Sequence, residues 1–380
     1  MSETRATTDA ASRPEPFHLH LPDEVLADLR QRLERTRYLP PTDVGRPAGL
    51  GGPRLKELVD SWLAFDWRAE EARLAGYEQF AATVRGHRIH FVRVRPARSA
   101  ERVVPLLLLH GWPSAFTEYL PLADALAALA ADDLAFDIVV PSLPGFVFSE
   151  LPEGPLTRAA IAEDLHELMT VVLGFDRYGA FGGDIGGAAA GWLGALHPEA
   201  IVGLQLIHPP FPADDSPQDD REAAYLDALA EYDEEDGGYS AMMGTRPDTI
   251  AAALADSPAG LLAWIADKWD DWADGGLAAV EPADLFRVAT LYWATGTIAT
   301  SFRQYFDWSF NEPRAAVAAP TALLLSREPW LEGFPRSLAE RAVTDLRSVE
   351  VAGAGGHFMA LEEPERTAEA VRGFFAGLAD

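Results

Sequence analysis

Residues 178–197 read YGAFGGDIGGAAAGWLGALH, and the turn at the centre of this stretch sets the class of fold. Four strand-like residues, Tyr178 to Phe181, run into Gly182, Gly183, Asp184, Ile185, Gly186 and Gly187, and an Ala-rich helical segment follows at once. Small residues flanking one polar residue at a strand-to-helix junction form the pattern of a nucleophile elbow, here with aspartate at the reactive position. The glycines have a steric reason. So sharp a turn strains the central residue and leaves no room for neighbouring Cβ atoms. A helix N-terminus behind Asp184 favours a carboxylate, and later the charge that builds on its ester. Two plainer readings compete: Asp is a common helix cap, and glycine-rich strand-helix turns bind phosphate. An aspartate aimed into the loop would repel phosphate, so the nucleophile reading is preferred.

On either side of the elbow lie short apolar runs: VVPLLLLH, FDIVVPSLP, VGLQLIHPP, PTALLLS and LRSVEVAG. Helical patterns such as RAAIAEDLHELMTVVL separate most of them. Apolar strands alternating with helices predict an α/β fold, a mostly parallel sheet covered by helices on both faces. ATVRGHRIHFVRVRP alternates about Gly86 as a β-hairpin would. From about Phe211 to Arg314 no convincing strand occurs, which predicts helices inserted above the carboxyl edge of the sheet, where ligands bind. The expected divisions are a disordered tail over 1–15, an N-terminal helical extension leading into the first strands over 16–96, core over 97–210, a helical lid over 211–315, and core again over 316–380. In the extension, Leu21, Val25, Leu26, Leu29 and Leu33 recur at helical spacing, with breaks at Pro40, Pro41, Pro47 and Pro53.

Composition excludes several functions. The 380 residues are 48% hydrophobic and carry a net charge of −28, from 59 acidic and 31 basic side chains. Such a surface repels phosphate backbones, so no nucleic-acid partner is expected. The chain has no cysteine, which removes thiolate nucleophiles, disulfides and cysteine-based zinc sites. No run of eighteen apolar residues and no signal-peptide pattern is present, so the expectation is a soluble, cytoplasmic protein without a membrane partner.

The chemistry gathers around Asp184. His110-Gly111-Trp112-Pro113 ends the run of leucines, and the loop there supplies one oxyanion-hole amide in hydrolases with such elbows. Trp112 N–H and Ile185 N–H are the expected pair. His110 comes too early in the chain to be the base and reads as structural. The base should follow nucleophile and acid in sequence, which selects His357, after the last strand in GAGGHFMALEEPE. The acid should sit beyond PTALLLS. Glu328 is favoured, with Glu332, or Asp214 and Asp215 after the preceding strand, as alternatives.

HGWPSAFTEYLPL, PSLPGFVFS, the GGDIGG elbow and GGHFMALEEPE together resemble the epoxide hydrolases of the microsomal and juvenile-hormone type. PFHLHLPDEVLADLRQRLERTRY is similar to that family's N-terminal domain, and the likeness spans roughly residues 16–378. It implies an α/β-hydrolase fold with a helical lid and N-terminal extension. It also implies two lid tyrosines that hydrogen-bond the epoxide oxygen, matched by Tyr239 in GGYSAMMGT and Tyr305 in FRQYF. Tyr225, Tyr232 and Tyr292 read as packing residues. Two departures stand out: Met243 replaces the usual Gln, and Ser-Arg-Glu-Pro-Trp replaces Phe-Pro-x-acid, which leaves the acid open. No counterpart of the anchoring helix of the microsomal animal enzymes is read in these residues, so a soluble form is expected. The implied reaction turns an epoxide into a vicinal diol through an Asp184 ester, with no metal or organic cofactor. The expected partner is a small apolar or aromatic epoxide, with Trp112 also contacting it, and a homodimer is left open. Rival readings are a dehalogenase using the same ester chemistry and a non-catalytic ligand-binding homologue.

Overall fold

A computed structural model describes residues 13–42, 45 and 48–378. Most of the expected tail, and Pro47, lie outside the described residues. Nine strands form one sheet among the described residues: β1 (Glu15–Pro16), β2 (Glu78–Val84), β3 (His87–Val94), β4 (Arg102–Leu109), β5 (Leu134–Pro141), β6 (Tyr178–Gly182), β7 (Ile201–Leu206), β8 (Thr321–Leu325) and β9 (Leu346–Val351). Their order is β1-β2-β3-β5-β4-β6-β7-β8-β9. The first three strands are antiparallel to their neighbours, and from β5 onward every pairing is parallel.

The central strands are apolar along their length because helices cover both faces. Leu106 to Leu109 of β4 and every residue of β6 are buried, as parallel sheets require. The β2–β3 hairpin turns through Arg85 and Gly86, both with positive φ, the backbone of the tight turn whose twist suits a hairpin. One reading of the sequence is corrected at β1. Glu15 and Pro16 pair with Ala81 and Phe80, so Glu15, counted with the expected tail, belongs to a strand. The helical run after Arg158 is likewise interrupted: an α-helix to Glu167 passes into one π turn at Leu168–Val172.

Between β7 and β8 the chain makes helices from Asp220 to Phe306 with no intervening strand. The N-terminal helices Asp23–Glu34, Gly52–Ala64 and Trp67–Leu74 pack against these inserted helices and brace them. Arg32 Nη1 donates to the Asp256 carbonyl at 2.8 Å, Trp62 Nε1 donates to Thr290 Oγ1 at 2.9 Å, and Arg287 pairs with the buried Glu70. Among the described residues no single helix is long and apolar enough to cross a membrane.

Candidate active site

Strand β6 is central, and at its end the chain must turn into the helix Asp184–Leu196 within two residues. Asp184 therefore adopts a left-handed backbone, φ 49°, which is costly for a residue with a Cβ. Close packing explains why no larger neighbour fits. A Cβ on Gly186 would lie 2.2 Å from the Leu109 carbonyl oxygen, and one on Gly111 would lie 2.4 Å from Asp184 Oδ1. The end of β4 is thus pressed against the elbow. Trp112 N–H donates to Asp184 Oδ1 at 2.8 Å. Ile185 follows in the first helical turn, where an amide has no carbonyl of its own helix to bond. His110 is structural in its contacts. It is fully buried, its Nε2 accepts from Leu143 N–H at 3.1 Å, and burial pushes its pKa down to about 4.

His357 stands on the loop after β9 and Glu328 on the loop after β8. Their side chains meet: Nδ1 of His357 is 2.9 Å from Glu328 Oε1. Glu332 and Asp214 are exposed, as is Asp215, and Asp214 instead accepts from Ser216 N–H. The carboxylate beside the histidine is therefore Glu328. Burial alone would raise its pKa, but the imidazoles of His208 and His357 outweigh burial and hold it well below the usual range. Burial would lower His357, yet the charge and hydrogen bond of Glu328, with Asp184 beyond, push it up to about 9.

The residue that sequence reasoning missed is His208. It lies two positions past the end of β7, at the same carboxyl edge. Asp184 N–H donates to His208 Nδ1 at 2.6 Å, and His208 Nε2 makes a short hydrogen bond to Glu328 Oε2. Ser326 Oγ and Trp330 Nε1 also donate to this carboxylate, at 2.6 and 3.0 Å. Four donors fill the four acceptor positions of one carboxylate. The available signal was a histidine closing a strand next to the nucleophile's strand, where side chains face the ligand crevice.

A cavity of about 390 Å³ opens over these groups, lined by Asp184, His208, Tyr239, Glu328 and His357 and walled by aromatic side chains including Trp272, Trp308 and Trp330. Tyr232 also lines it, which corrects its reading as packing alone. Tyr225 and Tyr292 are buried, their hydroxyls bonded to the Trp330 and Ser114 carbonyls. Tyr239 stacks on Trp112 with centroids 5.4 Å apart, and Tyr305 meets both rings edge-on at 6.0 and 5.8 Å. Lys268 Nζ lies 5.3 Å from the centre of the Tyr239 ring. Burial first, then the Asp184 charge, raises the Tyr239 pKa; Tyr305 is raised by burial, by Tyr239 and by Asp184. Both remain neutral phenols, able to donate. The Trp112 indole is fully buried and stacked on Tyr239, and neither it nor Tyr305 is among the side chains that line this cavity. Met243 is buried in the apolar core.

A family profile described as "Epoxide hydrolase N terminus" matches residues 14–119, and one described as "alpha/beta hydrolase fold" matches residues 104–243. The chain is 32% identical to juvenile hormone epoxide hydrolase 2 of Ctenocephalides felis, over 93% of this chain and 83% of that protein. It is 31% identical to epoxide hydrolase 1 of Sus scrofa, over 98% and 90% respectively. The solved structure of juvenile hormone epoxide hydrolase from the silkworm Bombyx mori superposes with a TM-score of 0.87 at 28% identity, covering 96% of this chain and 95% of that one.

Proposed function

Because the chain belongs to the epoxide hydrolase family and its reaction is epoxide hydrolysis, we propose that Asp184 opens the ring and that His357, oriented by Glu328, drives hydrolysis of the resulting ester. The observation that carries this reading is the convergence of a strained, amide-held Asp184 with the His357–Glu328 pair and a buried phenol on one cavity. An Asp184 oxygen attacks an epoxide carbon, and the ring C–O bond breaks with its electron pair going to oxygen. Tyr239 and Tyr305 stabilise the alkoxide as it forms.

Proton accounting supports the same cycle. With a pKa near 9, His357 rests as imidazolium between two carboxylates, Asp184 and Glu328. Esterification removes the Asp184 charge and so weakens the hold on that proton. The proton leaving His357 balances the one the alkoxide takes up. Neutral His357 then accepts a proton from water while hydroxide adds to the ester carbonyl. The Trp112 and Ile185 amides hold the oxyanion, and collapse releases the diol with Asp184 and imidazolium restored. The aromatic walls favour a substrate with a sizeable apolar or aromatic part. A cytoplasmic enzyme acting on such epoxides is part of the proposal.

The test is to trap the ester. Mixed with styrene oxide and quenched within one turnover, His357→Gln should gain the mass of one substrate on the peptide bearing Asp184, and Asp184→Ala should gain none. An impaired histidine variant that never accumulates adduct would remove His357 from the role of base.

A further inference from the structure

We propose that His208 is a positioning residue with two separable duties: its Nδ1 lone pair pins the backbone of the nucleophile, and its Nε2–H takes a share of the triad carboxylate. The inference rests on the Asp184–His357–Glu328 reading and deepens it.

The tautomer follows from the partners. A backbone amide can only donate, so Nδ1 must present its lone pair to Asp184 N–H, and the ring proton is on Nε2, facing Glu328. The two ring nitrogens thus have fixed roles, Nδ1 accepting and Nε2 donating. A proton added at Nδ1 would set donor against donor at the elbow. The first duty concerns strain. Asp184 holds a positive φ, and its amide, in the first helical turn, has no carbonyl within its own helix. The His208 bond satisfies that amide and fixes the backbone from which the carboxylate reaches the substrate.

The second duty concerns the base. Glu328 is shared between His357 on Oε1 and His208 on Oε2, and the two rings lie 4.9 Å apart. A carboxylate whose charge is partly drawn to a second donor holds the first less strongly. His208 thus tempers the pull of Glu328 on the His357 proton and keeps the base usable at lower pH. The other ionisable groups facing this pair are Asp184 and Glu118, which also act on His357, Glu362, which accepts from the amides on either side of His357, and Tyr232, Asp233, Asp236 and Tyr239 along the cavity. None of these changes in the variants below.

Two substitutions divide the ring. In His208→Asn the amide oxygen takes the place of Nδ1 and the reach to Glu328 is lost. In His208→Gln the amide nitrogen takes the place of Nε2 and the acceptor for Asp184 N–H is lost. Single-turnover kinetics with styrene oxide, followed by mass of the Asp184 peptide, give the alkylation and ester-hydrolysis rates across pH. For His208→Asn we expect alkylation within about threefold of wild type, with the hydrolysis midpoint moved up by about half to one pH unit. For His208→Gln we expect an unmoved midpoint and alkylation slower by roughly tenfold, the scale of one lost orienting contact. Unchanged rates and midpoints in both variants would overturn the proposal. So would equal slowing of both steps in both variants with no midpoint shift, the mark of general damage to the fold. His357→Gln in parallel separates the two levels. No adduct there defeats the underlying ester reading, whereas adduct there with silent His208 variants defeats the His208 proposal alone.

Discussion

Glu328 accepts four hydrogen bonds while almost wholly buried, and a carboxylate so placed does more than neutralise its neighbour. It sets the ring orientation of His357 by accepting the hydrogen bond from Nδ1–H, which leaves Nε2 free for the water of the proposed mechanism. Replacing it with an amide would present a donor or a weaker acceptor to that nitrogen. Glu328→Gln should lower turnover by on the order of 10³-fold, comparable to the loss when the acid of a serine triad is changed to its amide. Glu332, four residues on and exposed, should tolerate Gln with turnover within about twofold, as surface positions do. Steady-state rates on styrene oxide would compare them, and near-normal turnover by Glu328→Gln would displace it as the acid. The choice between these two glutamates was open in the sequence because both lie on one short loop after β8. Their difference is which one turns inward, and no local rule sets that.

Tyr239 belongs to the inserted helix Gly238–Thr245 and Tyr305 to the helical turn Arg303–Phe306. Both come to Asp184 only because the insertion folds over the sheet. Since the alkoxide exists only during ring opening, Tyr239→Phe or Tyr305→Phe should slow alkylation by roughly 10–10³-fold, and leave ester hydrolysis near normal. Equal slowing of hydrolysis would mean the phenols serve some other step. The seating of the insertion has its own anchor in Arg287, on the helix Pro282–Thr295, whose guanidinium meets Glu70 of the N-terminal helix Trp67–Leu74 with both side chains buried. Arg287→Ala would leave Glu70 paired with Arg73 alone and take the partner of Asp284 away, and should cost about 2 kcal/mol of stability, the scale of a lost hydrogen bond to a charged group. Denaturant midpoints would measure it, and a loss under ~0.5 kcal/mol, the range of ordinary surface changes, would argue that the contact is incidental. The sequence showed the extension as helical but without a core of its own. Its core turns out to be shared with the lid.

Across the molecule, buried titratable groups set opposing limits on stability. His90 and His110 are held neutral by burial, pushed down to about 3 and about 4 from 6.5. The unfolded chain binds protons at these sites first, so stability falls as pH drops below about 6.5. His357 is raised from 6.5 to about 9 despite burial, by Glu328 first, and Glu118 is raised by burial from 4.5 to about 8. Folded, these two keep protons that the unfolded chain releases earlier. Their contributions are complete below the unfolded values and are lost as pH rises through about 9 and about 8. Thermal stability should therefore peak near about pH 6 and decline on both sides. Glu118→Gln, which keeps the shape and removes the titration, should make the decline from pH 6 to 9 shallower. A wild-type melting temperature that stays flat over that interval would contradict the assignment.

The α/β class was legible in the apolar runs and in residues 178–197, and the residues proposed as nucleophile and base were picked out there and in the His357 loop, because each depends on local constraints. A strand-to-helix turn demands small neighbours, a covered parallel strand demands an apolar run, and the base must follow the last strand. Contacts between distant loops carried no such signature. His208 lies 24 residues from Asp184 and 120 from Glu328, so nothing short-range in LQLIHPP marks it as their link. The choice of Glu328, the burial of the Trp112 indole under Tyr239, and the entry of Tyr232 into the cavity wall arise the same way. Each depends on how the loops at the ends of separate strands, and the helices above them, pack once the sheet has brought them together.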